Sequence, residues 1–409
     1  MKGKDIFPVL VIGGGVAGIG AALAMADAGR RVHLVEKGFT LGGQVAKLDK
    51  LYPTDHCAFC PLWTDIKRLR EHPLITTHCH AEVKELDKAK TGFHAVVVRK
   101  AAFIDESRCV FCGKCLKECQ ENAIVSQGAH VYPPSYRVDT EICTRCGRCV
   151  PVCPTGAIDF QRTDETFDLT CEHVVWAAGF TEFDLTPHPE FGVGSHPDIM
   201  TSLEFEEWTA EGGINKGKMV RKSNRSLPRA IAFIQCAGAR DQRLLPYCSA
   251  VCCMHALKQA RWVKRRNPSV HCVIFYTDLR TVGRDYYEYS LRDLGVNGVR
   301  LIRGRPSLIY PLPGGEGIAV RFENTMTQKR EIWKFDMVVL NGNLSPSPVG
   351  AEREKGDLPS LTAEGFVNGE GDDISRLACG FTREPADVAE SVIQASAMAM
   401  KTLSANREW

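Results

Sequence analysis

Four apolar residues, Val9–Ile12, run straight into Gly13-x-Gly15-x-x-Gly18, an alanine-rich stretch over residues 16–28, and a stop at Gly29-Arg30-Arg31. A second apolar run over residues 32–35 follows and ends at Glu36. This order predicts a buried strand, a glycine turn, a helix and a second strand, the opening unit of a dinucleotide-binding α/β domain. In such a turn the first glycine allows the tight bend and the second lets the backbone approach a pyrophosphate. The third packs helix against strand, while the helix N-terminus offers N–H groups and positive dipole to the phosphates. Glu36, 18 residues beyond Gly18, is placed to accept ribose hydroxyls. The uncharged stretch 6–26 after Lys2 and Lys4 has the ~20-residue length of a membrane helix or signal peptide. Pro8 and Gly13-Gly14-Gly15 interrupt it, so neither is expected and the chain is read as cytoplasmic.

Two further stretches extend the nucleotide reading. Glu36-Lys37 followed by Leu41-Gly42-Gly43 looks like the flavoprotein variant of the fingerprint, whose second glycine pair lies along FAD. Val174-Val-Trp-Ala-Ala-Gly179-Phe resembles the second FAD signature of flavoproteins with two dinucleotide-binding domains, with Ala178 in place of the usual threonine. The predicted fold is therefore α/β, a two-dinucleotide-binding-domain flavoprotein like thioredoxin reductase.

Between these segments the composition changes. The chain has 18 cysteines in 409 residues, too many for incidental thiols and too long a chain for a small disulfide scaffold. Cys109-x2-Cys112-x2-Cys115-x3-Cys119 recurs 34 residues later as Cys143-x2-Cys146-x2-Cys149-x3-Cys153-Pro154, with Asp105 matching Asp139 and Ala123-Ile124 matching Ala157-Ile158. This is the bacterial two-cluster ferredoxin spacing, in which the fourth cysteine of each run serves the other cluster. Cys109, Cys112, Cys115 and Cys153 are expected on one 4Fe–4S cluster, and Cys143, Cys146, Cys149 and Cys119 on the other. Zinc is the alternative for isolated CxxC pairs. Gln120 stands where a proline usually follows the fourth cysteine, so altered loop geometry is expected there. Removing residues 101–163 joins a strand over 93–100 to another over 167–179, which makes the α+β ferredoxin unit an insertion. The expected domains are 1–100 and 164–228 for FAD with the insertion at 101–163, then 229–330 as a former NAD(P)-type domain and 331–409 as the C-terminal part of the FAD domain.

A strand over 229–235 should open a second nucleotide fingerprint. Instead it meets Cys236-Ala-Gly-Ala-Arg-Asp241 and then Tyr247-Cys248-Ser-Ala-Val-Cys252-Cys253, before a helix over 254–265 and a strand over 271–277. The β-loop-α-β frame is kept and the glycines are replaced by four cysteines. They either converge on a third cluster or are buried small hydrophobes.

Ile234-Gln-Cys-Ala-Gly-Ala-Arg-Asp241 together with Pro246-Tyr-Cys-Ser-Ala-Val-Cys-Cys-Met-His-Ala-Leu-Lys-Gln-Ala260 resembles the A-type, FAD-bearing subunit of heterodisulfide reductases. The related A-type subunit of the quinone-interacting membrane-bound oxidoreductases shares the pattern. Supporting matches are Pro53-Thr-Asp-His-Cys57-Ala-Phe-Cys60, Arg303-Gly-Arg-Pro306 and Arg383-Glu-Pro-Ala-Asp-Val-Ala-Glu-Ser391. The resemblance implies that Cys236, Cys248, Cys252 and Cys253 ligate a non-standard 4Fe–4S cluster beside the flavin. It also implies that Lys258 lies near the isoalloxazine, where a cation favours an anionic reduced flavin. From the residues alone Lys258 reads instead as a solvated helix position. Cys379-Gly380 should line the flavin, and the helix starting near Asp387, with Val388, should aim its N-terminus at the ring.

Cys57-x-x-Cys60 admits two readings: a redox pair at a helix start near Pro61, or ligands to a cluster shared with another domain. Cys171 and Cys272 are expected in the core. Gly212-x4-Gly217-Lys218 mimics a phosphate loop, but Met219 replaces the metal-binding hydroxyl. The basic run over residues 216–229 reads as a solvated linker. With 51 basic against 49 acidic residues, no nucleic-acid partner is expected, and no direct membrane insertion. The reading is an oxidoreductase subunit with FAD and three 4Fe–4S clusters in a heterodisulfide-reductase-like complex, a setting for flavin-based electron bifurcation or confurcation. Its expected partners are iron–sulfur subunits and disulfide- or quinone-reducing subunits. Ferredoxin, homodimerisation and membrane association through partners are further candidates. The alternatives are a self-contained NAD(P)H:ferredoxin oxidoreductase and a passive electron-relay scaffold.

Overall fold

A computed structural model describes residues 7–126, 134–213, 215–293, 298–349, 355–356, 359–368 and 377–404. The strand Val9–Ile12 lies at the centre of a five-stranded parallel sheet, between His173–Trp176 and Val32–Glu36, with Leu377–Ala378 and Ile75–Cys79 at the edges. Val9 and Val11 pack into one apolar core and Leu10 into another. A strand buried on both faces needs an uninterrupted apolar run, which is why this segment does not alternate. The helix Val16–Asp27 covers one face and packs on the C-terminal helix Val388–Ser404.

A second five-stranded parallel sheet holds Ile199–Thr201, Met337–Leu340, Ala230–Ile234, His271–Tyr276 and Val299–Arg303, in that order. The molecule thus has two parallel sheets, each covered by helices on one face and by an antiparallel sheet on the other. Two expected boundaries need correction. Ile199–Thr201 and Met337–Leu340 pair with each other in the second sheet, so neither 228/229 nor 330/331 divides the domains. Both are apolar strands buried on both faces, and only a central or covered sheet position accommodates them.

The segment over 167–179 is also not one strand. Glu165–Cys171 belongs to a four-stranded sheet with Phe93–Arg99, Ala81–Lys88 and Lys355–Gly356, whereas His173–Trp176 joins the first parallel sheet. Glu172 makes the switch, its N–H bonding Pro8 O at 2.9 Å.

Phe93–Arg99 and Glu165–Cys171 are antiparallel neighbours in register from Phe93↔Cys171 to Arg99↔Glu165. The chain between them therefore leaves and returns at one place. Asp164 clamps the neck, accepting from Lys100 Nζ at 2.8 Å and from Ala101 N at 2.9 Å. The inserted unit closes over its own core, including Phe103, Ile104, Ile124, Val138 and Ile158. The basic run after Lys216 is anchored and not a free linker. Arg221, Lys222 and Ser223 all donate to the fully buried Asp198, and the Trp208 ring lies against Lys222 and Arg225. Among the described residues, no helix is long and apolar enough to cross a membrane.

Candidate flavin and iron–sulfur sites

A cavity of about 1390 Å³ opens at the C-terminal ends of the first sheet's strands. Gly13, Gly15, Glu36, Lys37, Gly42, Gly43, Gly179, Gly380 and Val388 all line it. The cradle fits an extended dinucleotide. A Cβ on Gly13 would sit 2.3 Å from Ala177 O, and one on Gly43 would sit 2.9 Å from Gly15 Cα. The helix after the turn has Gly15 as N-cap, no side-chain cap and no acidic residue in its first turn, which leaves its N–H groups for an anion. Gly18 does not line the cavity; it is the close-packing glycine, its would-be Cβ 1.9 Å from Gly13 O. Glu36 accepts from Gly14 N at 2.5 Å and Gly38 N at 2.6 Å. A carboxylate offers about four lone-pair sites, so two stay available to ribose hydroxyls. Burial pushes the Glu36 carboxyl up, against the pull of those two N–H groups.

Val388 and Ala389 reach the cavity, but the helix start is not a bare dipole. Asp387 Oδ1 accepts from Glu390 N at 2.8 Å and Glu390 Oε2 from Asp387 N at 2.9 Å. This reciprocal cap places two carboxylates where the sequence reading expects only the helix's positive end.

Lys258 is 4% exposed and lines the same cavity, so the solvated-helix reading does not hold. Its Nζ donates to Glu206 Oε1 at 2.6 Å and Lys50 O at 2.9 Å, two of its three donors. Glu206 also accepts from Gln259 Nε2 at 3.1 Å and Asp49 N at 3.0 Å. Burial pushes the Glu206 carboxyl up, but Lys258 and then His255 outweigh it and bring it down to about 2. Sequence reasoning missed Glu206. The available signal is its position three residues from both Leu203 and Thr209, on the buried stripe of the helix Ser202–Thr209.

The ferredoxin-like unit repeats its backbone. Cys109 N bonds Asp105 O at 2.9 Å and Cys143 N bonds Asp139 O at 3.0 Å. Each half's aspartate also bonds the other half: Asp105 N to Ala157 O at 2.9 Å, and Asp139 N to Ala123 O at 2.7 Å. One small cavity is lined by Cys109, Cys112, Cys115 and Cys153 together. Burial and then the thiols of Cys109 and Cys153 push Cys115 up. Cys149 is pushed up to about 11 by burial, with Cys143 and Cys119 among its charged neighbours. The fourth cysteine of each run is thus beside the other run's thiols. The loop after Cys119 is not altered by Gln120. Ala123 N meets Cys119 Sγ at 3.3 Å as Ala157 N meets Cys153 Sγ at 3.2 Å, and Asn122 takes φ +55° where the repeat has Gly156 at +58°. Asparagine tolerates that left-handed position, so the turn survives without the proline.

The strand Ala230–Ile234 runs into Cys236 at φ +55°, and the helix Cys252–Arg266 begins on the two adjacent cysteines. Cys236, Cys252 and Cys253 are buried and Cys248 is half-buried. Burial and then the charges of Cys253 and Cys248 push Cys236 up to about 11, so these thiols are mutual neighbours. The helix has no side-chain cap and no acid in its first turn, an arrangement that suits anionic sulfur. Arg305 fixes the loop by donating to Cys236 O at 2.9 Å and Ala239 O at 3.0 Å. Cys252 also lines the flavin cavity. Among the described residues, no three His, Cys, Asp or Glu side chains gather tightly enough for a single metal ion. Of the remaining thiols, Cys171 and Cys272 are core residues and Cys379 lines the cavity beside Gly380.

A family of FAD-dependent oxidoreductases matches residues 8–127, and a 4Fe–4S dicluster domain matches residues 102–160. In fold the chain is similar to thioredoxin reductase from T. acidophilum (TM-score 0.56, 12% identity, 98% of this chain and 99% of that one). It is also similar to thioredoxin reductase from Lactococcus lactis (TM-score 0.57, 14% identity, 97% and 98%). Fold and site together define a flavin-dependent oxidoreductase of thioredoxin-reductase architecture with an inserted 4Fe–4S dicluster domain. In sequence it is 35% identical to the iron–sulfur A-type subunit of CoB–CoM heterodisulfide reductase from Methanocaldococcus jannaschii, over 95% of this chain and 63% of that protein. The corresponding iron–sulfur subunit from Methanopyrus kandleri is 36% identical, over 97% and 64%. The A-type subunit of the H2:CoB–CoM heterodisulfide,ferredoxin reductase from Methanothermobacter marburgensis is 32% identical, over 96% and 63%. The chain is thus similar over nearly its whole length to heterodisulfide reductase A-type iron–sulfur subunits, and it spans somewhat less than two thirds of the length of these relatives.

Proposed function

We propose that this protein is the flavin-bearing electron-transfer subunit of a heterodisulfide-reductase-like complex. FAD supplies two-electron chemistry, and three 4Fe–4S clusters conduct single electrons to and from it. The observation that carries this reading is the loop after Ala230–Ile234. Where a second nucleotide fingerprint would lie, the loop and an uncapped helix start carry four neighbouring cysteines, and one of them, Cys252, lines the flavin cavity. Cys236, Cys248, Cys252 and Cys253 hold the non-standard cluster. Lys258, held by Glu206, presents a fixed cation at the cavity wall and favours negative charge on the flavin. Electrons then arrive from clusters of partner subunits, which fits the relatives' names as subunits, and coupling of two acceptors at the flavin is the further step those names motivate. Exposed apolar residues beside the ferredoxin-type cysteines, Val110, Phe111 and Val150, offer those partners a contact.

The test is reduction of the isolated anoxic protein. NADH and NADPH are expected to leave the flavin absorbance unchanged, while dithionite or reduced ferredoxin bleaches it. Stoichiometric bleaching by either nicotinamide would overturn the reading in favour of a self-contained NAD(P)H oxidoreductase.

A further inference from the structure

The turn that carries Cys236 is left-handed at three places, Cys236 (φ +55°), Gly238 (φ +76°) and Arg240 (φ +55°). Only glycine adopts that region without strain, so Cys236 and Arg240 are held there by their surroundings. On one side Gly342 backs the turn, its would-be Cβ 3.0 Å from Cys236 Cα, and Ala237 N donates to Asn341 O at 2.8 Å. On the other side lies Arg305, just beyond the strand Val299–Arg303. Its Nη2 donates to Cys236 O at 2.9 Å and Ala239 O at 3.0 Å, and its Nη1 to Arg240 O at 3.3 Å. One planar guanidinium thus spans three carbonyls of the turn, a geometry that a lysine ammonium does not reproduce.

The charges around the turn are unequally paired. Arg240 is spent on Asp278 at 3.0 Å, and Asp241 on Arg243 at 2.9 Å. Arg305 reaches Asp241 only at 3.9 Å, and the three hydrogen bonds of its guanidinium go to neutral carbonyls. Its positive charge is therefore left largely uncompensated against the backbone of Cys236. The side chain is 34% exposed, so solvent screens that charge only in part.

We propose that Arg305 is a positioning residue for electron transfer: it fixes the Cys236 turn and sets the potential of the cluster held by Cys236, Cys248, Cys252 and Cys253. This rests on the three-cluster reading above. An added electron makes a cluster more negative, and the charge around a cluster is one of the levers on its potential. A cation fixed against Cys236 favours the reduced form and raises the potential. Asp241, 3.9 Å from that cation, acts in the opposite sense. Cys252 of the same set lines the flavin cavity, so the setting bears on the exchange nearest FAD.

The experiment is a potentiometric titration of the anoxically purified holoprotein, followed by electron paramagnetic resonance. The signal absent from Cys253→Ser identifies the cluster, and the ferredoxin-type signals are the internal reference, because their unit has its own core. Arg305→Gln is expected to shift the identified midpoint down and Asp241→Asn to shift it up. Arg305→Lys, which keeps the charge, should stay nearer the wild type than Arg305→Gln. The ferredoxin-type midpoints should hold in all three variants. A merely structural role would not move the midpoint in opposite directions. Unmoved midpoints, shifts of the same sign, or Arg305→Lys displaced as far as Arg305→Gln would overturn the proposal. If Arg305→Gln assembles no third cluster, the sign of the Asp241→Asn shift decides. About 8 irons in the wild type would instead sink the three-cluster reading, and the proposal with it.

Discussion

Gly18→Ala is expected to yield a protein that binds essentially no FAD yet keeps its ferredoxin-type clusters. The new methyl group would sit 1.9 Å from Gly13 O and at contact distance, 3.4 Å, from Ala177 Cβ. Gly13 cannot retreat, because it holds φ +109° and backs so closely onto Ala177 O that even a Cβ of its own would sit 2.3 Å from it. The helix must therefore move off the sheet, and the phosphate cradle opens with it. The inserted unit has a separate apolar core and is spared. Gly20→Ala is the control: its methyl meets only Ala395 Cβ at 3.4 Å, and gains helix propensity of up to about 1 kcal/mol. Flavin and iron content of the two purified variants checks the contrast.

Glu206→Ala is expected to destabilise the protein by about 3–5 kcal/mol, since it leaves the Lys258 ammonium buried without its counter-ion. Glu206→Gln keeps the shape but still strands the charge, so it should fall between. The pH dependence has a definite sign. Glu206 is brought down to about 2 in the folded protein, below an ordinary carboxyl near 4.5. Its contribution is fully present above pH 4.5 and is lost as pH falls toward 2. Urea titrations followed by flavin release should show a wild-type advantage over Glu206→Ala that is constant near neutrality and shrinks below about pH 4.5.

Much of this architecture was legible in the chain. The turn at Gly13-x-Gly15-x-x-Gly18 is local: strand, glycines and helix follow each other within 19 residues, Val9–Asp27, and need no distant partner to be recognised. The cysteine duplication is equally local, and even Asn122 repeats the left-handed turn of Gly156. What the chain hid depends on contacts between remote segments. Ile199–Thr201 looks like part of the FAD domain until its pairing with Met337–Leu340, 138 residues on, is seen. Lys258 reads as solvated because its partner, Glu206, lies 52 residues away on another helix. The reciprocal cap of Asp387 and Glu390 is visible in the chain as a three-residue spacing, but the spacing alone marks only a helix start.

The central claim is one FAD and three 4Fe–4S clusters in this chain, the third held by Cys236, Cys248, Cys252 and Cys253. The most direct test is flavin and iron quantification on protein purified without oxygen, wild type beside Cys253→Ser. One FAD with about 12 irons is expected for the wild type, falling to about 8 in the variant. About 8 irons in both proteins would contradict the claim.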